Sequence, residues 1–338
     1  MAARATRTAG ICLLLAAAVA ACAPMPTRES GHAFPPHTAF VLPAAAAPVA
    51  EAPLPQVEGL SRVTFAGFDA LRLEAPGGTA VVALFGGHLL SWVPRGGQDV
   101  LWLSPDTALP PQPIRGGVPV LWPYFSRQGQ TAALPAHGLV RTLRWQVVEA
   151  RRAPDGTLTL VLAPPQPVPG LALRMTLRVG QALEQTLTTT NTGTTPVRFT
   201  QALHSYYRVG DAMQVRVDGL QGATYRNKAE GFAAAYVQQG PWSLTAAGGQ
   251  VDRIYTGTDS HYVLDDPVLD RRIVLDTTGS HSLVTWNPGV DAQTRSPDIG
   301  SGWRHYVCLE TANAGDDVVV LAPGARHRLG YRVTVQSR

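Results

Sequence analysis

Short runs in which apolar and polar side chains alternate with a period of two recur along most of this 338-residue chain. No other feature narrows the fold as much. "LRLEA" (71–75), "TAVVALF" (79–85), "LTLVLA" (158–163), "LRMTLRV" (173–179), "EQTLTTTNT" (184–192), "QVRVDGL" (214–220) and "RLGYRVTVQ" (328–336) are rich in Val, Leu and Thr. Gly, Pro, Asn and Asp punctuate them, so each reads as a half-buried strand between turns. Long stretches with the 3.6-residue period of a helix are missing, apart from weak candidates around 227 to 237. Hydrophobic residues make up 45% and charged ones 15%, enough apolar surface for a large core. The expected fold is therefore all-β, one large antiparallel β-sandwich over residues 57–338.

The N-terminus has a different character. "MAARATRTAGICLLLAAAVAACAP" places Arg4 and Arg7 before an apolar run from Ile11 to Ala18. That run falls short of the ~20 residues a spanning helix needs and reads as an export signal, residues 1–21. Val19-Ala20-Ala21-Cys22 resembles the bacterial lipobox, which predicts acylation of Cys22; ordinary cleavage after Ala21 would instead leave a free thiol. Ala23 suits sorting to the outer membrane of a Gram-negative cell, so the expected location is the periplasm. The Ala- and Pro-rich stretch 22–56 reads as a tether with a reach on the order of 30 Å. Cys12 leaves with the signal and Cys22 is acylated, so Cys308 remains alone and no internal disulfide is possible. Losing Arg4 and Arg7 lowers the formal net charge from +4 to +2, and no basic cluster carries interleaved aromatics, which argues against nucleic-acid binding.

Several chemistries have no motif here. There is no H-E-x-x-H, C-x-x-C or G-x-S-x-G, so zincin, zinc-ribbon and serine-hydrolase readings lack support, and no metal is expected. What stands out is a set of polar residues in apolar or aromatic surroundings. His204 lies in "QALHSYYRVGD", Glu310 ends an apolar run in "HYVCLETAN", and "LPAHGLVR" carries His137 and Arg141. Asp252 lies in "QVDRIYTG", Trp286 and Asn287 in "VTWNPG", and Arg115 in "IRGGVPVLWPYF". Singly, each has a structural explanation: a satisfied strand histidine, a strand end back in solvent, a turn cap, a surface charge. Together, a His and a Glu on separate strands can face one cavity as general acid and general base. Arg, Asp and aromatic groups around them would suit a sugar.

These motifs, with "GGHLLSW" and "VLWLSP", occur in the order seen in glucose-6-phosphate 1-epimerases, and the chain resembles that family over nearly all of residues 58–338. These are the hexose-6-phosphate mutarotases of the galactose-mutarotase-like superfamily, whose fold is a large antiparallel β-sandwich. The resemblance implies that Glu310 is the catalytic base and His204 the catalytic acid. It implies that Arg115 and Arg141 bind the sugar phosphate and that Asp252 and His137 bind substrate. Ala136 replaces a glutamine found in some members. The activity implied is cofactor-free exchange of hexose anomers by a monomer whose partners are a hexose or hexose phosphate and, through the lipid anchor alone, a membrane. The alternative is a non-catalytic carbohydrate-binding lipoprotein on the same scaffold.

Overall fold

In the strand Leu171–Val179, Leu171, Leu173, Met175, Leu177 and Val179 point inward while Arg174 and Arg178 face solvent, and its neighbour Leu183–Asn191 alternates the same way. This is the two-residue pleat at work, and it recurs through a computed structural model that describes residues 33–41, 53–165, 168–245 and 247–338. Strands Leu60–Phe65, Phe68–Ala75, Gly78–Ala83 and His88–Pro94 form a consecutive four-stranded meander. One eight-stranded sheet runs in the order Arg216–Asp218, His261–Asp266, Arg271–Thr278, Arg326–Ser337, Leu183–Asn191, Leu171–Val179, Leu158–Ala163, Gln146–Arg152. The second runs Ala235–Val237, Thr224–Asn227, Val251–Thr256, Ser282–Asn287, Tyr306–Asn313, Gln201–Leu203, Val120–Leu121, with Tyr206–Arg208 also paired to Tyr306–Asn313. Val197–Phe199 and Val319–Leu321 make a separate pair. The fold is an all-β antiparallel sandwich, as the alternation predicts.

The second large sheet divides its side chains sharply. Val251, Tyr255, Leu283, Val307 and Leu309 enter the main core shared with the other strands. The alternate positions Ile254, Val284 and Ala312 join a small separate cluster with Leu121 and Phe125 on the opposite face. That opposite face carries the polar residues singled out above.

Two stretches differ from expectation. Residues 227–237 form no α-helix: a single 3₁₀ turn, Lys228–Glu230, is followed by the strand Ala235–Val237. The Asn227 side chain accepts the Ala229 N–H at 3.2 Å, and Gly231 closes the turn at φ +61°. A cap and a stop one turn apart leave no room for a helix, and pairing of Ala235–Val237 with Thr224–Asn227 takes the rest. Within the 22–56 stretch read as a tether, residues 33–41 are seated on the domain, with Phe40 buried and stacked on Tyr124. The signal segment 1–21 and Cys22 lie outside the described residues.

One buried histidine fixes the loop that carries Arg115. His88 Nε2 lies 2.7 Å from the Gly116 carbonyl, which can only accept, so the ring proton sits on Nε2. Gly117, at φ +59°, has no room for a side chain against Leu89 and His88. Burial pushes the His88 pKa down to about 3, against the Gly116 hydrogen bond that raises it. An unfolded chain protonates this imidazole below its ordinary 6.5, whereas the fold keeps it neutral until about 3. Between those values the unfolded state binds more protons, so stability falls as pH falls, by about 1.4 kcal/mol per pH unit for one such group. His88→Gln keeps an N–H donor without the titration. Denaturant melts between about pH 6 and pH 4 should show a shallower loss of stability in the variant; an unchanged slope would contradict this role.

Candidate active site

Leu203 pairs with Thr311 and Tyr206 with Cys308, and the unbroken count between them sets His204 directly across from Glu310. Glu310 in turn pairs with Val284, and Val284 with Ile254. One step along, Tyr206, Cys308, Trp286 and Asp252 make a parallel row. Directly opposed residues share a face, so two adjacent rows place acid, base, aromatic and carboxylate on one floor. The His204 N–H donates to the Pro119 carbonyl at 3.1 Å and the Leu309 N–H to Ser205 at 3.3 Å, which tie this irregular stretch to its neighbours.

His204 Nδ1 meets Glu310 Oε2, and neither atom has another hydrogen-bond partner among the described residues. Glu310 is 1% exposed. Burial raises its pKa well above the usual carboxylate range and the nearby Asp252 adds to this, while Lys228 opposes it. Burial lowers the His204 pKa to about 3; Arg115, Arg141 and Lys228 push the same way, while Asp252 opposes them. Both directions favour an uncharged pair holding one proton between Oε2 and Nδ1. With Nδ1 accepting, the ring's own N–H is on Nε2. The Tyr206 ring packs edge-on against His204 at 4.8 Å and holds the imidazole in place.

Two adjoining cavities share Arg115, His137 and His204. One, of about 310 Å³, is also lined by Glu310, Asp252, Lys228 and Trp286; the other, of about 420 Å³, by Arg141, Tyr206 and Asp298. Arg115 is not a free cation: its Nε donates to Asp298 at 2.7 Å and its Nη1 to the Tyr206 hydroxyl at 3.2 Å. Arg141, by contrast, forms no ion pair among the described residues, and burial and Arg115 lower its pKa. His137 takes φ +68° beside Gly138 at +83°, where any side chain would strike the Trp122 backbone. Its Nδ1 accepts the Ser126 N–H at 3.3 Å, which leaves Nε2–H as its donor. Burial lowers its pKa well below the ordinary value, with His204 and the surrounding cations adding to the effect.

All six residues expected to handle substrate thus line this pair of cavities. Asn287 does not: its amide donates to the Trp303 and Tyr306 carbonyls at 2.8 Å, a structural tie. Asp252 pairs with Lys228 at 3.0 Å, not with Arg253, whose guanidinium lies 4.5 Å from the Tyr225 ring centroid. Lys228 lines the cavity although the motifs do not point to it; a signal exists, since of 28 Lys and Arg residues it is the chain's one lysine. Asp298, Arg127, Phe232 and Phe34 also border the site without motif signals.

The family model for aldose 1-epimerase matches residues 69–334. An Escherichia coli K12 protein named "Putative glucose-6-phosphate 1-epimerase" is 34% identical over 287 residues, covering 82% of this chain and 94% of that protein. A crystal structure of a "putative mutarotase" from Salmonella typhimurium superposes with a TM-score of 0.73 at 30% identity, over 86% of this chain and 97% of that one. A galactose mutarotase-like protein from Clostridium acetobutylicum superposes with a TM-score of 0.63 at 14% identity, over 82% and 98% of the two chains; that likeness shows the fold alone.

The electrostatics make a direct prediction. In ¹⁵N NMR of histidine-labelled protein, the His204 ring, assigned by its loss in His204→Asn, should stay neutral through its ordinary midpoint of 6.5. An imidazolium signal for His204 at about pH 6 would contradict a neutral pair.

Proposed function

The chain belongs to the aldose 1-epimerase family, and from that premise we propose that it interconverts the α and β anomers of a hexose 6-phosphate by ring opening at the His204–Glu310 pair. The observation that carries this reading is the contact between those two side chains on the floor of a cavity lined by Trp286, Asp252 and Lys228.

A pair sharing one proton can open the ring without creating net charge. Nε2–H of His204 gives its proton to the ring oxygen O5 as the C1–O5 bond breaks. Nδ1 takes the proton from Glu310 Oε2, and Oε1 accepts the proton from the anomeric hydroxyl as the C1 carbonyl forms. The products are the open aldehyde with a C5 hydroxyl, His204 protonated on Nδ1 alone, and Glu310 protonated on Oε1. Rotation about C1–C2 and the reverse transfers close the ring on the other face. Glu310 remains the base toward O1 and His204 the acid toward O5, but the acid is a neutral imidazole changing tautomer. Avoiding an ion pair matters in a site where burial disfavours both charges. The surrounding side chains then hold the substrate: Asp252, oriented by Lys228, accepts from a sugar hydroxyl and Trp286 offers a ring face.

The 6-phosphate finds its complement in the second cavity. Arg115 is partly compensated by Asp298, so Arg141, without an acidic partner among the described residues, supplies most of the uncompensated positive charge. Export and acylation at Cys22 rest on the sequence alone; fatty-acid labelling that persists in Cys22→Ala would refute acylation.

Anomer exchange followed by NMR tests the assignment. Glu310→Gln and His204→Asn should each slow exchange of glucose 6-phosphate by about 10²–10⁴-fold. Exchange at the wild-type rate in either variant would defeat it. Arg141→Ala should raise KM for glucose 6-phosphate by about 10–100-fold while leaving unphosphorylated glucose little changed. Equal effects on both sugars would remove the phosphate role. The rate should be level through pH 6.5 and fall only as pH approaches 3, where protonation of His204 removes the acceptor for the Glu310 proton.

A further inference from the structure

Residues 33–41 lie outside the 69–334 family match, yet the fold holds them against the domain at several points. The Thr38 N–H donates to the Arg198 carbonyl at 2.9 Å, and Thr38 Oγ1 accepts the Arg198 N–H at 2.9 Å. Arg198 Nε donates to the Pro36 carbonyl at 2.7 Å. The Gln130 amide both donates to the Thr38 carbonyl and accepts the Phe40 N–H, each at 2.9 Å, imitating a strand partner. One glycine makes room for the segment and a second lies beside Phe34. A side chain on Gly129, at φ +69°, would collide with His37; a Cβ on Gly315 would lie 3.4 Å from Phe34 Cε1 and 3.1 Å from Ile254 Cγ2. Gln128 grips Gly315 from both sides, donating to its carbonyl at 2.5 Å and accepting its N–H at 2.9 Å.

What this segment delivers is Phe34. Its ring sits 5.4 Å from that of Phe232 at an angle of 59°, packed on the Ile254–Val284 cluster, and it borders the same cavity as His204 and Glu310. A pyranose ring presents C–H groups on its faces and hydroxyls around its edge. His204, Glu310 and Asp252, on two adjacent rows, serve the hydroxyls; an aromatic wall serves a C–H face. Building on the epimerase reading, we propose that residues 33–41 form a strap completing the active site, and that Phe34 is a specificity-determining residue that stacks on the sugar. The strap touches no atom of the proton relay, so its contribution is to binding in ground and transition states alike.

The test is anomer exchange of glucose 6-phosphate by wild type, Phe34→Ala, Phe34→Tyr and Gln130→Ala, with binding of the same sugar phosphate read by calorimetry. Phe34→Ala should raise KM and Kd about tenfold with kcat held. Phe34→Tyr keeps the ring and should restore both. Gln130→Ala, outside the cavity, should raise KM by loosening the strap. Unchanged KM and Kd in Phe34→Ala, with an active wild type, would overturn the strap and leave the epimerase reading standing. A wild type that binds the sugar phosphate without accelerating exchange would overturn the epimerase reading, while the calorimetric comparison would still decide the strap.

Discussion

A single strand register underlies the chemistry. Because Leu203 meets Thr311 and Tyr206 meets Cys308, His204 has nowhere to face but Glu310. Shifting one strand by one residue would turn either side chain into the core between the sheets. That core is itself what forbids the slip: Leu309 and Val307 already occupy it from the same strand as Glu310. The apolar alternation that folds the sandwich therefore also aligns the acid with the base. The price is a carboxyl group buried at 1% exposure, which only a partner such as His204 makes tolerable.

Burial sets the state of the pair, and the charges around it pull in both directions. Arg115, Arg141 and Lys228 disfavour an imidazolium at His204, and Asp252 disfavours a carboxylate at Glu310. Arg115 and Arg141 act against charge at the histidine alone, whereas Asp252 also favours the imidazolium and Lys228 the carboxylate, so burial is the larger cause of the pair's neutrality. The Asp298–Arg115 and Asp252–Lys228 ion pairs limit how much bare positive charge the site carries. Arg141 is the exception, and the exception is what an anionic substituent would seek.

The sandwich is legible in the sequence because a half-buried strand writes its own orientation every second residue. His204, Glu310 and Asp252 are legible as polar groups in apolar runs, and Arg115 and Arg141 through the motifs that hold them. Their contact is not legible, since pairing across a sheet joins residues distant in the chain. Lys228 sits in a turn between two strands, where a cap and a stop disguise one 3₁₀ turn as a weak helix. Phe34 hides in Ala- and Pro-rich sequence that looks like linker; its segment needs Gly129, whose missing side chain makes room for His37 only once the chain is folded. Asp298 falls outside every motif, yet it changes the reading of Arg115 from a free anion receptor to a partly satisfied one.

The most direct measurement is a crystal structure of the protein with bound glucose 6-phosphate. In that complex O5 should lie within about 2.6–3.2 Å of His204 Nε2 and the anomeric oxygen equally close to Glu310, as positioned proton transfer requires. The phosphate should lie beside Arg141 and a pyranose face against Phe34. A sugar bound with C1 turned away from His204 and Glu310 would contradict this arrangement.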